Sequence, residues 1–333
     1  MINYKETDNY IFIDYLKGIA IIMVILTHVG FASDIVKTNF LFPYFIYMAV
    51  PIFMLITGFN YANSYIKRNC NDFKQMYNLK LLITRFLRLT IPFIIILLLE
   101  YICHFPGIIK HSFMLNFFQG GIGRGNYYFP IMLQLIFIFP ILYHYLKRFG
   151  RKFLIFIFLI SLLFEIICAT TNLCNGIYRL ISIRYFFLVS LGSWLKLTPK
   201  ISTSTLITSF AIGINAITLF MYNAEIVSYP FNHWRHTNLI FAFYIFPIFA
   251  YIYYNFAYKE INNIFGKVLQ LLGKASWHIF LIQMFVFGYL YEKSIFDRYC
   301  SFSSSIIITF ICLLAGILYY ITEKKAGKIF YKK

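Results

Sequence analysis

Residues 11–30 read IFIDYLKGIAIIMVILTHVG, and this stretch decides the fold class. Twenty residues at 1.5 Å each make a helix of about 30 Å, the thickness of the hydrocarbon core of a bilayer. The preceding MINYKETDNY carries acids as well as Lys5, and the apolar run closes on His28, Val29 and Gly30 rather than on a small-residue cleavage signal. A retained membrane span is therefore expected, not a cleaved leader. Nine further apolar stretches follow, at about 40–60, 82–103, 127–146, 153–170, 179–197, 204–222, 237–257, 275–291 and 302–321. Arg179 and Arg184 interrupt the stretch 179–197, and Pro247 falls inside 237–257. The pattern predicts an all-α polytopic transmembrane helix bundle of about ten spans with both termini cytoplasmic.

Composition points the same way. Of the 333 residues, 60% are hydrophobic, 21% aromatic and only 13% charged, against about 25% charged in soluble domains. That is more apolar surface than one soluble core buries, so the lipid bilayer is the expected partner. The net charge of +18 follows from topology. With the N-terminus inside, 22 of the 30 Lys and Arg residues fall in inner segments, as the positive-inside rule requires. The 8 outside are Lys37, Lys110, Arg124, Arg179, Arg184, Arg235, Lys293 and Arg298. No aromatic-interleaved basic groove or base-reading helix accompanies this charge, so no nucleic acid is expected. Cys70, Cys103, Cys168, Cys174, Cys300 and Cys312 form no CxxC pair and no Cys/His cluster, which indicates neither a disulfide framework nor a metal site. With no internal repeat, linker or composition shift, residues 1–333 are expected to form a single integral-membrane domain.

Polar groups at membrane depth cost several kcal/mol, which makes each one a functional candidate beside a structural alternative. Lys17 and His28 are eleven residues apart, which returns to within about 20° of one helical face and separates them by about 16 Å along the axis. Either they flank the helix as a snorkelling lysine and an interfacial histidine, or they serve chemistry. In VPIFMLITGF (50–59), Pro51, Thr57 and Gly58 suit close helix packing as well as a site. In TRFLRLTIPF (84–93), Arg85 and Arg88 lie at i and i+3 just inside a span. Paired guanidinium groups there bind phosphate oxygens, or anchor the helix to lipid headgroups. Tyr127, Tyr128 and Gln134 open the stretch YYFPIMLQLIFIFP as an aromatic belt would. Ser276, Phe280 and Gln283 form one helical stripe, for packing or for a site. Glu100 and Glu165 are isolated acids, and His104, His111, His233 and His236 fall in outer loops.

The ordered set DYLKGIAIIMVILTH (14–28), VPIFMLITGF, TRFLRLTIPF and LGKASWHIFLIQ (272–283) resembles the acyltransferase 3 family of integral-membrane acyltransferases. Lys17 and His28 stand at that family's basic-x10-His spacing, and the other segments match its PxFFxxSGF, RxxR-proline and GxxSxxIYLxH pieces. The resemblance implies transfer of an acyl group, most often acetyl, from cytoplasmic acyl-coenzyme A to a hydroxyl of a cell-surface or exported glycan, without a metal. It implies His28 as the catalytic group, general base or transient acyl carrier, and Lys17, Arg85 and Arg88 as donor-binding cations. Tyr128, Ser276, Gln283 and Thr57 are its weaker candidates for substrate or oxyanion contacts.

Three positions depart from the family pattern. Lys17 stands for the commoner arginine, Thr57 for serine, and Gln283 for a frequent histidine, which removes proton transfer at that place. The competing reading is a polysaccharide export or flippase-like component, since a polar stripe within a bundle also suits a conduit. The acceptor, the acyl chain and the oligomeric state are not encoded in any motif here. A multi-pass protein of a bacterial inner or plasma membrane is expected.

Overall fold

The computed structural model describes residues 10–28, 41–171, 173, 175–222, 239–292 and 302–330. Lys5, Lys37, Arg235, Lys293, Arg298, Lys332, Lys333, His233, His236, Cys174 and Cys300 lie outside them. Among the described residues there is no strand. The principal helices are α1 (Ile11–His28), α2 (Ala49–Lys67), α3 (Leu79–Ile102), α4 (Phe113–Gln119), α5 (Tyr128–Phe149), α6 (Arg151–Thr170), α7 (Phe186–Leu197), α8 (Thr203–Tyr222), α9 (Ala242–Phe256), α10 (Ile264–Glu292) and α11 (Phe302–Phe330).

Eight segments of the described residues are long and apolar enough to cross a membrane: Ile11–His28, Phe42–Lys67, Phe73–Ile102, Tyr128–Phe149, Arg151–Thr170, Leu239–Phe256, Ile264–Leu290 and Ser303–Ala326. These cover eight of the ten expected stretches, and the chain is an all-α polytopic membrane protein. The stretch 179–197 is built otherwise. Ser182–Tyr185 forms a 3-10 turn and only Phe186–Leu197 is α-helical, 12 residues or about 18 Å long. The physical reason is Arg184, which is 1% exposed. Its guanidinium lies 5.2 Å from the Tyr178 ring centre and 4.5 Å from that of Tyr185, an arrangement a continuous apolar helix would not supply. The apolar part of α8 runs over Thr203–Leu219 and is shorter than the eight. Helix α10 begins at Ile264, well before the expected residue 275, because Lys267 and Lys274 end the apolar window without ending the helix.

The chain forms two compact units, each described by itself. The first comprises Met1–Ile13, Val50–Ile83 and Gln134–Glu260. Its centre is α7, in which every residue from Phe187 to Leu195 is buried. Glycines permit the close approach of α2 and α7. A methyl group in place of the Gly58 hydrogen would lie 1.9 Å from the Val189 carbonyl oxygen, and one on Gly192 would lie 2.0 Å from that of Leu55. Between them, the Ser193 hydroxyl donates to the Gly58 carbonyl at 3.0 Å. Gly213 likewise brings α8 onto the backbone of Tyr244 in α9, where the Ser209 hydroxyl donates to the Phe243 carbonyl at 2.9 Å. A buried polar cluster completes the unit. The Tyr178 hydroxyl lies 2.8 and 2.7 Å from the two carboxylate oxygens of Glu165, and the Gln134 amide donates to Leu180 O and accepts from Ser182 N–H. Gln134 is thus a tertiary clamp rather than part of an aromatic belt.

The second unit comprises Asp14–Ala49, Thr84–Leu133 and Ile261–Lys333. Here α1 and α10 meet backbone to backbone. A methyl on Gly18 would lie 2.3 Å from Leu269 O, and one on Gly273 would lie 1.8 Å from Asp14 O. Helix α11 packs on α10 through Gly316, which abuts Ile279, and through a polar contact between the His278 imidazole and the Glu323 carboxylate. The Tyr319 hydroxyl donates to the carbonyl of Pro92 in α3 at 2.8 Å. Along α11, Ile307, Phe310, Leu314 and Leu318 remain exposed, as residues facing lipid do.

Candidate active site

Within the second unit, three sequence-distant pieces converge on the C-terminal end of α1. Its last residue is His28, half-buried, at the point where a helix leaves carbonyl groups without intrahelical partners. The Arg124 guanidinium donates to the His28 carbonyl at 3.0 Å. A cation at this end also complements the helix dipole. The imidazole has the Phe287 ring edge-on, with centroids 6.2 Å apart.

Arg124 comes from a glycine-rich turn whose shape follows from its residues. Helix α4 starts at Ser112, whose hydroxyl accepts from the Leu115 N–H, and ends on Gly120 in the left-handed region at φ 81°. Gly121 (φ 77°) and Gly125 (φ 91°) hold the same hand, which side chains with a Cβ rarely adopt. The buried Asn126 amide donates to Gly121 O at 2.7 Å and to Gln119 O at 3.2 Å. Gly123 rests on the Met284 backbone, where a methyl would come within 2.0 Å of the carbonyl oxygen. A methyl on Gly125 would lie 3.1 Å from the Phe280 ring and 3.6 Å from His28 Nε2. The turn therefore lies against both α10 and the imidazole.

Helix α10 supplies the remaining wall. Gln283, 0% exposed, donates from Nε2 to the Arg124 carbonyl at 3.2 Å. Trp277 and Phe280 stack with centroids 5.5 Å apart, and the Tyr128 ring lies 5.3 Å from Phe280. Ser276 is buried about two turns before Gln283 on the same helix.

Of the residues singled out in the sequence, His28, Tyr128, Phe280 and Gln283 are brought together around this turn. Lys17 is in the same unit, paired with Asp14 at 3.5 Å, one turn along α1. Arg85 and Arg88 are also in this unit but differ in exposure, Arg85 half-buried and Arg88 exposed. Thr57 belongs to the first unit, where it is buried and its hydroxyl donates to the Phe53 carbonyl of its own helix at 2.8 Å. Glu165 is also in the first unit, bonded to Tyr178. His104 and His111 are exposed. Two residues were not selected from the sequence. Arg124 was counted only among outer cations, although its place between Gly123 and Gly125 was a signal of close backbone approach. His278 lies within the quoted α10 segment, and its partner Glu323 is 45 residues away. Among the described residues no group of three or more His, Cys, Asp or Glu side chains could hold a metal.

These features meet in one comparison. The acyltransferase 3 family model, an acyltransferase domain, matches residues 10–321 of the 333-residue chain. The protein belongs to this family: it is a multi-pass membrane acyltransferase. No curated protein and no solved structure matches the chain.

Proposed function

We propose that the protein is an O-acyltransferase, in the first instance an O-acetyltransferase, which moves an acyl group from cytoplasmic acyl-coenzyme A to a hydroxyl of a cell-surface or exported glycan. The observation that carries the reading is His28 at the end of α1, with Arg124 on its carbonyl and the Gly125 backbone beside its ring. Imidazole is the commonest general base in enzymes. His28 takes the proton of the acceptor hydroxyl as the oxygen attacks the thioester carbonyl. The tetrahedral oxyanion then collapses, the C–S bond breaks, and the thiolate leaves as coenzyme A after regaining a proton from the imidazolium. Cations suit the oxyanion and the donor's phosphates, so Arg124 serves the first and Lys17, Arg85 and Arg88 the second. The aromatic wall of Tyr128, Trp277 and Phe280 suits the apolar face of a sugar ring. Gln283 acts through Arg124, while Ser276 is a secondary polar contact.

The test is transfer of radiolabel from acetyl-coenzyme A to a glycan fraction in inside-out membrane vesicles from the native host. The unmodified protein is compared with His28→Ala and with the Arg85→Ala, Arg88→Ala pair at matched expression. Label that enters glycan only with His28 intact, and an arginine pair that mainly raises the donor KM, is the expected result. A His28→Ala protein that transfers label at the normal rate overturns the assignment. Transfer from succinyl-coenzyme A instead would change the acyl group but not the mechanism.

A further inference from the structure

The turn that carries Arg124 is seated on a residue the mechanism has not used. Glu100 lies near the end of α3 and is 0% exposed. Both carboxyl oxygens are buried and make no hydrogen bond of ordinary geometry among the described residues. They lie directly behind Gly121. A methyl in place of the Gly121 hydrogen would come within 2.8 Å of Oε2 and 3.3 Å of Oε1. The backbone N–H of Ile122 faces the same carboxyl. A buried polar group with no well-formed partner is costly and is kept where it does something. From Gly121 and Ile122 the chain reaches Arg124 in two more residues. Over that distance Gly123 is pinned on Met284 and Arg124 O on Gln283. Asn126 closes the turn back onto Gly121, so a shift of the backbone at 121 is passed on to 124 rather than absorbed.

We propose that Glu100 is a positioning residue: its buried carboxyl seats the glycine turn 120–125 so that Arg124 reaches the His28 carbonyl and Gly125 backs the imidazole. The inference rests on the reading of His28 as the reacting group, but its physical core is separable from catalysis. Glu100 acts at a distance, on the turn, and touches neither substrate nor His28.

The experiment is a mutant cycle of Glu100→Ala and Arg124→Ala, with Glu100→Gln as the isosteric variant and Gly121→Ala as an approach to the same seat from the other side. All are assayed in native membranes. One readout is label transfer, resolved into kcat and the donor KM. The other is the rate at which diethyl pyrocarbonate modifies His28, followed by mass spectrometry, which requires no turnover. Glu100→Ala is expected to lower kcat tenfold or more, leave KM within twofold, and speed His28 modification severalfold. Added to Arg124→Ala it should lower kcat no further, because both substitutions break the Arg124 linkage. Glu100→Gln should recover most of the loss, and Gly121→Ala should reproduce the Glu100→Ala signature. Additive effects on kcat in the cycle overturn the proposal, as does unchanged His28 modification in Glu100→Ala and Gly121→Ala. If the unmodified protein transfers label from neither acetyl- nor succinyl-coenzyme A, the reading of His28 as an acyl-transfer base fails, while the modification rates still decide whether Glu100 seats the turn.

Discussion

Gly58→Ala tests whether the segment VPIFMLITGF serves helix packing or substrate approach. The added methyl would start 1.9 Å from Val189 O, and ordinary contact begins at 3.4 Å, so α2 and α7 must part locally by roughly 1.5 Å. The neighbouring contact cannot absorb this. Gly192 holds the same two helices against Leu55 O, and Ser193 reaches the Gly58 carbonyl at 3.0 Å, a bond that such a shift breaks. Overpacking costs about 1–3 kcal/mol and the lost hydrogen bond about 1 kcal/mol, giving a destabilisation of about 2–4 kcal/mol. In detergent, the expected readout is a fall in the unfolding midpoint of about 3–6 °C. Gly176→Ala is the control, because a methyl there meets nothing within 4 Å. A Gly58→Ala protein as stable as the control but inactive in transfer would refute the packing argument and give Gly58 to the substrate.

Three further outcomes follow from the same geometry. Gln283→Leu removes the donor to the Arg124 carbonyl, about 1 kcal/mol, so label transfer should fall about fivefold while the unfolding midpoint changes little. Gly125→Ala places a methyl at φ 91° and 3.1 Å from Phe280, which should lower stability by about 1–2 kcal/mol and slow transfer more than that loss of folded protein accounts for. Tyr178→Phe withdraws the hydroxyl that bonds both oxygens of the buried Glu165, and should lower the unfolding midpoint by about 1–3 kcal/mol equivalent without altering the donor KM.

The fold was largely legible because bilayer thickness sets a length that apolar runs either meet or miss. Lys17 and His28 could be placed on one helix for the same reason, since eleven residues of unbroken helix fix their geometry. What lay beyond reach was every contact made across the chain. Arg124 is 96 residues from His28, and apart from its flanking glycines nothing local distinguishes it from Lys110 as an outer cation. Gln134 looked like part of an interfacial belt because its partners, Leu180 and Ser182, lie some 46 residues on. Arg184 was legible as an interruption, but not as a buried cation against two tyrosine rings. Glu100 could be read only as an isolated acid, because the loop that meets it reveals its shape through the φ angles of Gly120 and Gly121. The glycines were the best unread signal. Four occur within 120–125, and three of them hold backbone that other residues would strain.

The assembly of His28 with Arg124 and Gln283 also fixes when in biosynthesis the proposed centre can be complete. Membrane helices are delivered from the N-terminus, and the chain grows at about 5–20 residues per second. The 255 residues from His28 to Gln283 therefore separate the histidine from its last neighbour by about 13–50 s. Until then His28 lacks the helix that pins the turn, and for the first 96 of those residues it lacks Arg124 as well. On the proposed function, a chain still lacking α10 holds no complete centre at which thioester could be lost to water, and the centre is completed when α10 arrives.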